Sequence, residues 1–136
     1  MTLTDLPELM PLLRHNIVLN SSGIRDSGGL ATEAELRWGS PVPAELVGPE
    51  LVILSDCVFE EPAIPLLMHT LEQMCNSHTT VLCAIEQREH PANRAAELAF
   101  NNAAAQQFVI ERLGHEEQDP DYVCDEIVVL RMRTKS

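Results

Sequence analysis

Residues 51–56 read LVILSD, four consecutive apolar residues followed by a serine and a carboxylate. An apolar run of this length is typical of a strand buried on both faces, as in a parallel sheet covered by helices. A second run, VLCAI at 81–85, ends in the same way at Glu86. Between the two runs, apolar residues recur at helical spacing from Ile64 to Cys75. The pattern predicts a β-α-β unit and therefore an α/β fold.

The segments on either side continue the alternation of strands and helices. We expect a strand end at 2–4, a helix from about 5 to 20, a glycine-containing loop at 21–32, a strand at 33–38, a helix at 91–107 and strands at 108–113 and 126–132. No helix separates the last two strands, so we expect them to pair antiparallel. We interpret residues 1–136 as one domain with a mainly parallel sheet.

Composition limits the classes of function. The chain has 9 Lys and Arg against 21 Asp and Glu, a net charge of -12. Such a surface repels phosphate backbones, which argues against nucleic-acid binding, and it suits either a basic protein partner or solubility alone. No apolar run approaches the ~20 residues of a membrane span, and the polar start is unlike a signal peptide. Four cysteines without a CxxC pair indicate reduced thiols, so we expect the cytoplasm or the nucleus.

Several kinds of catalytic or metal site have no signal in the sequence. The five histidines show no metal-ligand spacing, and Cys75 and His78 form one CxxH pair without a second, so we expect no metal. The serine-hydrolase elbow G-x-S-x-G and the phosphate-binding G-x-x-x-x-G-K-[ST] loop are both missing. The strand ends are the remaining positions where the sequence places polar groups suited to chemistry.

Three carboxylates stand at predicted strand ends: Asp5, Asp56 and Glu86. Trp38 closes a fourth predicted strand. In open α/β sheets, ligands bind beyond the carboxyl ends of the strands. We therefore expect these four side chains to converge on one edge of the sheet.

Each of these side chains also has a purely structural interpretation. Asp5 and Glu8 have capping-box spacing, so Asp5 is also a candidate helix cap. Trp38 offers a flat face for an adenine ring, or it is an ordinary core residue. Asp56 has no basic partner nearby in the sequence and either orients a polar substrate group or caps the next helix. Phe59 either walls a pocket or packs against the sheet.

Four ordered segments resemble those of the methyltransferase-like protein-lysine methyltransferases, which are class I, seven-stranded, S-adenosylmethionine-dependent enzymes. The segments are LTDLPEL at 3–9, LRWG at 36–39, LVILSDCVFEE at 51–61 and CAIEQR at 83–88. They resemble the family's post-motif-I segment, its L-x-W-G and D-x-x-Y elements, and the E-Q-R of the branch that includes the valosin-containing-protein lysine methyltransferase. The resemblance spans about residues 3 to 133.

The resemblance implies a Rossmann-like sheet with helices on both faces and methyl transfer from S-adenosylmethionine to a lysine of a protein. Asp5 matches the residue that binds the cofactor ribose, and Trp38 matches the residue beside the adenine. Ser55 and Asp56 match positions lining the methyl-transfer site, and Phe59 matches the tyrosine of D-x-x-Y without its hydroxyl. Asp56 and Phe59 are thus the expected catalytic residues, and Asp5, Trp38 and Ser55 the expected cofactor-binding residues. A chaperone or AAA ATPase is the expected class of protein partner.

The chain also departs from the family pattern. The family's first strand and G-x-G-x-G loop would precede Thr2, and the sequence contains neither. We therefore expect an N-terminally truncated sheet, in which the strands ending at Thr4 and Ser55 lack their shared neighbour. We also expect weak binding of S-adenosylmethionine by the chain alone.

Three interpretations of the function stay open. The first is a protein-lysine methyltransferase represented by an incomplete copy. The second is a non-catalytic interaction module derived from such an enzyme. The third is a methyltransferase for a small molecule or a protein N-terminus, which the E-Q-R strand end disfavours.

Overall fold

The computed structural model describes residues 1–135. They form two compact units, Met1–Ser40 and the residues from Pro41 onward. The first unit contains β1 (Thr2–Asp5), α1 (Met10–Leu19), α2 (Ser21–Asp26) and β2 (Thr32–Glu35). β1 and β2 pair in parallel, from Thr2 opposite Thr32 to Asp5 opposite Glu35. A single 3₁₀ turn, Pro7–Leu9, precedes α1.

Helix α2 occupies a segment that the glycines predict to be a loop, so that prediction is wrong for Ser21–Asp26. The reason lies at the end of the helix. Gly28 has a φ of 72°, and the amides of Gly28 and Gly29 donate to the carbonyls of Arg25 and Ile24 at 2.8 Å each. Glycine in this conformation satisfies the last carbonyls of a helix. These glycines therefore end a helix instead of preventing one.

Three further expectations for the first unit are wrong. The capping box does not form, because Asp5 is the last residue of β1 and Glu8 pairs with Arg37 at 3.5 Å. Helical spacing of apolar residues predicts a buried stripe on the first helix, but only Met10 is buried among Leu6, Leu9, Met10, Leu13 and Ile17. Trp38 lies in a turn beyond β2, since β1 ends at Asp5 and leaves later residues without a strand to pair with.

The second unit carries the larger sheet. Its elements are β3 (Leu51–Ser55), α3 (Ile64–Met74), β4 (Thr80–Glu86), α4 (Pro91–Gln107), β5 (Phe108–Arg112) and β6 (Ile127–Thr134), with 3₁₀ turns at Ala44–Leu46, Glu61–Ala63 and His115–Glu117. The strand order is β3-β4-β6-β5. β3 and β4 are parallel, and β6 is antiparallel to both β4 and β5. The predicted α/β fold with an antiparallel C-terminal strand pair is confirmed.

The core of the second unit lies between the sheet and the two helices α3 and α4, which contact each other. Every second residue is buried from Val81 to Ile85 in β4 and from Val128 to Met132 in β6, and both α3 and α4 contribute buried apolar residues. The largest fully buried side chains include Phe100 of α4, Phe108 of β5 and Met132 of β6.

Strand β3 is not buried on both faces, contrary to the expectation from its apolar run. Leu54 is buried, whereas Leu51 and Ile53 are 48% and 61% exposed. Within the described residues, β3 pairs only with β4 and β1 pairs only with β2, so each stands at the edge of its sheet. In the described part of the chain, no helix has the length and apolar character needed to cross a membrane.

Candidate functional site

Asp56 is the first residue after β3 and has an unusual backbone. Its φ is 54°, and among residues 1–135 it is the one non-glycine residue with a positive φ. Its amide still donates to the carbonyl of Ala84 at 3.1 Å, so the chain turns sharply as it leaves the β3–β4 ladder. Aspartate is among the few side chains that tolerate this left-handed region, and strained positions of this kind cluster at functional sites.

Asp56 and Glu86 are joined by Arg88, in a group we call the Arg88 clamp. The guanidinium Nη2 lies 2.8 Å from Oδ2 of Asp56 and 2.6 Å from Oε2 of Glu86, and Nε donates to the same Glu86 oxygen at 2.7 Å. Hydrogen bonds to Glu86 and then to Asp56 raise the pKa of Arg88 above its usual range. All three side chains remain partly exposed to solvent. The clamp therefore ties together the carboxyl ends of two parallel strands at the surface.

Asp56 has no basic residue nearby in the sequence, and its basic partner lies just beyond the end of the neighbouring strand. Arg88 is 32 positions away and reaches Asp56 because β3 and β4 pair in parallel, with Ser55 opposite Ala84. The E-Q-R motif contained the signal, but only the strand register shows which carboxylate the arginine meets. Glu86, expected at a strand end, is the last residue of β4.

Ser55 and Phe59 flank Asp56 in the second unit. Ser55 ends β3, and its carbonyl accepts a hydrogen bond from the Cys57 thiol at 3.6 Å. Phe59 is 44% exposed, whereas its neighbour Val58 is only 4% exposed and anchors the segment. Phe59 is thus partly exposed to solvent, which argues against a purely structural role in the core.

Asp5 and Trp38 belong to the first unit. Oδ1 of Asp5 accepts the amide of Leu6 at 2.8 Å, while Oδ2 accepts no hydrogen bond from residues 1–135. Trp38 is half-buried in the turn beside Gly39, whose φ is 81°. The structure therefore brings together Asp56 and Glu86, with Ser55 and Phe59 beside them in the chain. The convergence of all the predicted side chains on one edge stays a prediction.

A second arginine in the same unit makes a similar pair of contacts at a different place. Arg131 of β6 lies 2.9 Å from Glu111 and 3.1 Å from Glu117. Hydrogen bonds to Glu111 and then to Glu117 raise its pKa. Arg131 stands opposite Leu82 in the sheet, whereas Glu86 stands opposite Ile127. The two positions on β6 are four residues, or about 13 Å, apart, which makes Arg131 a matched comparison for Arg88.

The described residues contain no group of three or more His, Cys, Asp or Glu side chains placed to hold a metal ion. The candidate site of the second unit thus consists of two carboxylates, one guanidinium and one aromatic ring. Such groups can orient a polar substrate and complement its charge.

The fold is that of class I methyltransferases, as comparison with solved structures shows. An O-methyltransferase from neocarzinostatin biosynthesis, crystallised with S-adenosylmethionine, superposes with a TM-score of 0.64 at 14% identity, covering 98% of this chain and 41% of its own. The chain belongs to the lysine methyltransferase family, whose model matches residues 1–107.

Two relatives are similar to it in sequence. EEF1A lysine methyltransferase 3 of Mus musculus is 33% identical over 110 residues, which cover 81% of this chain and 44% of the relative. Protein-lysine N-methyltransferase EFM6 of Saccharomyces cerevisiae is 32% identical over 116 residues, which cover 77% of this chain and 43% of the relative. The chain thus spans less than half the length of these two relatives.

Proposed function

We propose that this protein transfers methyl groups from S-adenosylmethionine to a lysine side chain of a protein substrate. Membership of the lysine methyltransferase family and the names of the two relatives support this activity. The single structural observation that carries it is Asp56. Asp56 has a strained backbone and lies directly beyond a parallel strand, the position at which α/β sheets bind their ligands.

The residues of the first unit fit the adenosine part of the cofactor. One oxygen of Asp5 is fixed by the Leu6 amide, and the other has no partner in residues 1–135, so it can accept a ribose hydroxyl. The half-buried ring of Trp38 offers a flat face for the adenine. When bound, the cofactor supplies an electrophilic methyl group on a positively charged sulfur. The role of Asp5 and Trp38 is to hold and orient it.

The residues of the second unit supply the substrate side of the reaction. Asp56 and the carbonyl of Ser55 are polar groups that can orient a lysine amine, and Phe59 provides an exposed apolar wall for its aliphatic stem. Phe59 lacks a hydroxyl, so its contribution is packing and exclusion of water. Alignment and desolvation account for this kind of catalysis, and no covalent intermediate with the protein is required.

The expected partner is a protein with a basic surface. A net charge of -12 favours encounter with lysine-bearing surfaces. A chaperone or an AAA ATPase is the partner class we propose, on the family resemblance alone. We propose the cytoplasm or the nucleus as the location, supported by four cysteines that are all free thiols.

Binding of S-adenosylmethionine tests the proposal directly. We would measure it by saturation-transfer NMR, which detects weak binding, on the wild-type chain and on Asp5→Asn and Asp26→Asn. Asn at position 5 keeps an acceptor for the Leu6 amide but removes the charge that favours two ribose hydroxyls. We expect weak binding by the wild type, at least ~10-fold weaker binding by Asp5→Asn, and no change in Asp26→Asn, which alters an exposed aspartate at the end of α2.

The contrary results are equally informative. Equal binding by wild type and Asp5→Asn would remove Asp5 from the site. A cooperatively folded wild type that binds no S-adenosylmethionine at millimolar concentration would favour the non-catalytic interaction module.

A further inference from the structure

The Arg88 clamp places one permanent cation between two carboxylates. Arginine stays charged at every physiological pH, and both carboxylates lie within 2.8 Å of the guanidinium. With the carboxylates ionised, the net charge of the group is -1 instead of -2. This difference of one unit matters to any amine brought to the carboxyl ends of β3 and β4.

A lysine amine attacks a methyl group only when it is neutral. Its ordinary pKa is about 10.4, so only about one amine in a thousand is neutral near pH 7.4. Negative charges nearby favour the protonated form and make that fraction smaller. A unit charge about 5 Å away at a partly exposed site shifts such a pKa by about one unit. A carboxylate that orients the amine thus opposes its deprotonation unless another cation offsets the charge.

We infer that Arg88 is a positioning residue for methyl transfer: its guanidinium offsets one of the two negative charges of Asp56 and Glu86, so that these carboxylates orient a substrate lysine while holding it protonated less strongly. This inference rests on the proposed function. The ammonium first loses its proton to water. The nitrogen lone pair then forms the N–C bond as the S–C bond breaks, and that electron pair stays on sulfur, which becomes a neutral thioether.

Other titratable groups lie near the clamp in the chain or across the ladder. Glu60 follows β3, Glu89 and His90 follow Arg88, and Glu126, whose carbonyl accepts the Gln87 amide, precedes β6. Cys57, beside Asp56, donates its thiol to the Ser55 carbonyl. Among residues 1–135, Arg88 forms ion pairs with Asp56 and Glu86 only.

The first experiment is a pH profile of methyl transfer. Labelled methyl incorporation from S-adenosylmethionine into poly-L-lysine would be measured from pH 7 to 10.5 for wild type, Arg88→Gln, Arg88→Lys and Arg131→Gln. We expect the rising limb for Arg88→Gln to move up by about one pH unit, so that activity near pH 7.5 falls about 10-fold and recovers at high pH. Arg88→Lys keeps the positive charge, and Arg131→Gln removes two similar ion pairs elsewhere in the sheet. For both variants, activity should therefore rise over the same pH range as in the wild type.

The second experiment needs no turnover. Arg88→Lys places an amine between Asp56 and Glu86, and its pKa can be followed by ¹⁵N NMR. We expect a value above the ordinary 10.4 or so, falling when Asp56→Asn or Glu86→Gln is added. An ordinary value, unchanged by those additions, would show that the carboxylates do not hold an amine protonated and would overturn the inference.

The two proposals fail in different ways. Transfer by wild type and Arg88→Gln with superimposable pH profiles would overturn the role of Arg88 and leave the methyltransferase proposal standing. No transfer by the wild type at any pH would count against the methyltransferase proposal, and the amine titration would then decide whether the clamp has the electrostatic effect described.

Discussion

The backbone at Asp56 supports a stability test that separates strain from side-chain contacts. The perturbation is a set of four variants, Asp56→Gly, Asp56→Ala, Ser55→Gly and Ser55→Ala. Both changes at position 56 remove the contact with Arg88, so that loss cancels when the two are compared. Ser55 is the neighbouring residue in regular strand conformation and provides the reference.

The expected magnitude follows from φ. At 54°, a residue with a Cβ is disfavoured by about 1–2 kcal/mol relative to glycine. In an ordinary strand, glycine is instead less stable than alanine by about 0.5–1 kcal/mol, because it loses more chain entropy on folding. Asp56→Gly should therefore be more stable than Asp56→Ala by about 0.5–1 kcal/mol, with the opposite order at Ser55. Glycine should therefore be the more stable substitution at position 56 and alanine the more stable substitution at position 55.

Urea unfolding followed by circular dichroism is the assay. With a slope of about 1–2 kcal/mol per molar urea, the two variants at position 56 should differ by about 0.5 M in midpoint. The slopes should agree among all four variants, so that midpoints report stability alone. If alanine is the more stable substitution at both positions, the left-handed conformation of Asp56 is refuted, and with it the argument that strain marks the site.

Three further predictions concern the core and the thiols. Phe100 is fully buried on α4, so Phe100→Ala should lower the free energy of unfolding in urea by about 3–5 kcal/mol. Leu98 is 62% exposed on the same helix, so Leu98→Ala should lower it by less than about 0.5 kcal/mol. Similar losses for the two variants would contradict the packing of α4. Burial raises the pKa of Cys83 to about 12. A thiol reagent at pH 8 should therefore label the exposed Cys124 before Cys83. Equal labelling rates for the two thiols would place Cys83 at the surface. Because the unfolded chain loses the Cys83 proton first, stability should fall as pH rises from about 9 toward 12, by at most about 1.4 kcal/mol per pH unit, and Cys83→Ala should flatten this fall.

Local patterns predicted most of the secondary structure. Helix α4 runs from Pro91 to Gln107 as expected, because proline at the first position and helical spacing are both local signals. The strands β3 to β6 were likewise indicated by short apolar runs. The errors have two causes, the extent of strand pairing and the way in which glycines end a helix. Trp38 falls outside β2 since the neighbouring strand ends first, and α2 forms where two glycines supply the end of a helix.

The amino-acid sequence by itself determined the α/β order, the acidic surface, and the strand-end residues Asp5, Asp56 and Glu86, since each depends on composition or on spacing along the chain. Tertiary structure alone decided that β3 stands at a sheet edge, that Asp56 has a positive φ, and that Arg88 binds two carboxylates. The physical reason is the range of the interactions. Propensity and periodicity act over a few residues, whereas Arg88 meets Asp56 only because the register of two parallel strands brings together groups 32 positions apart.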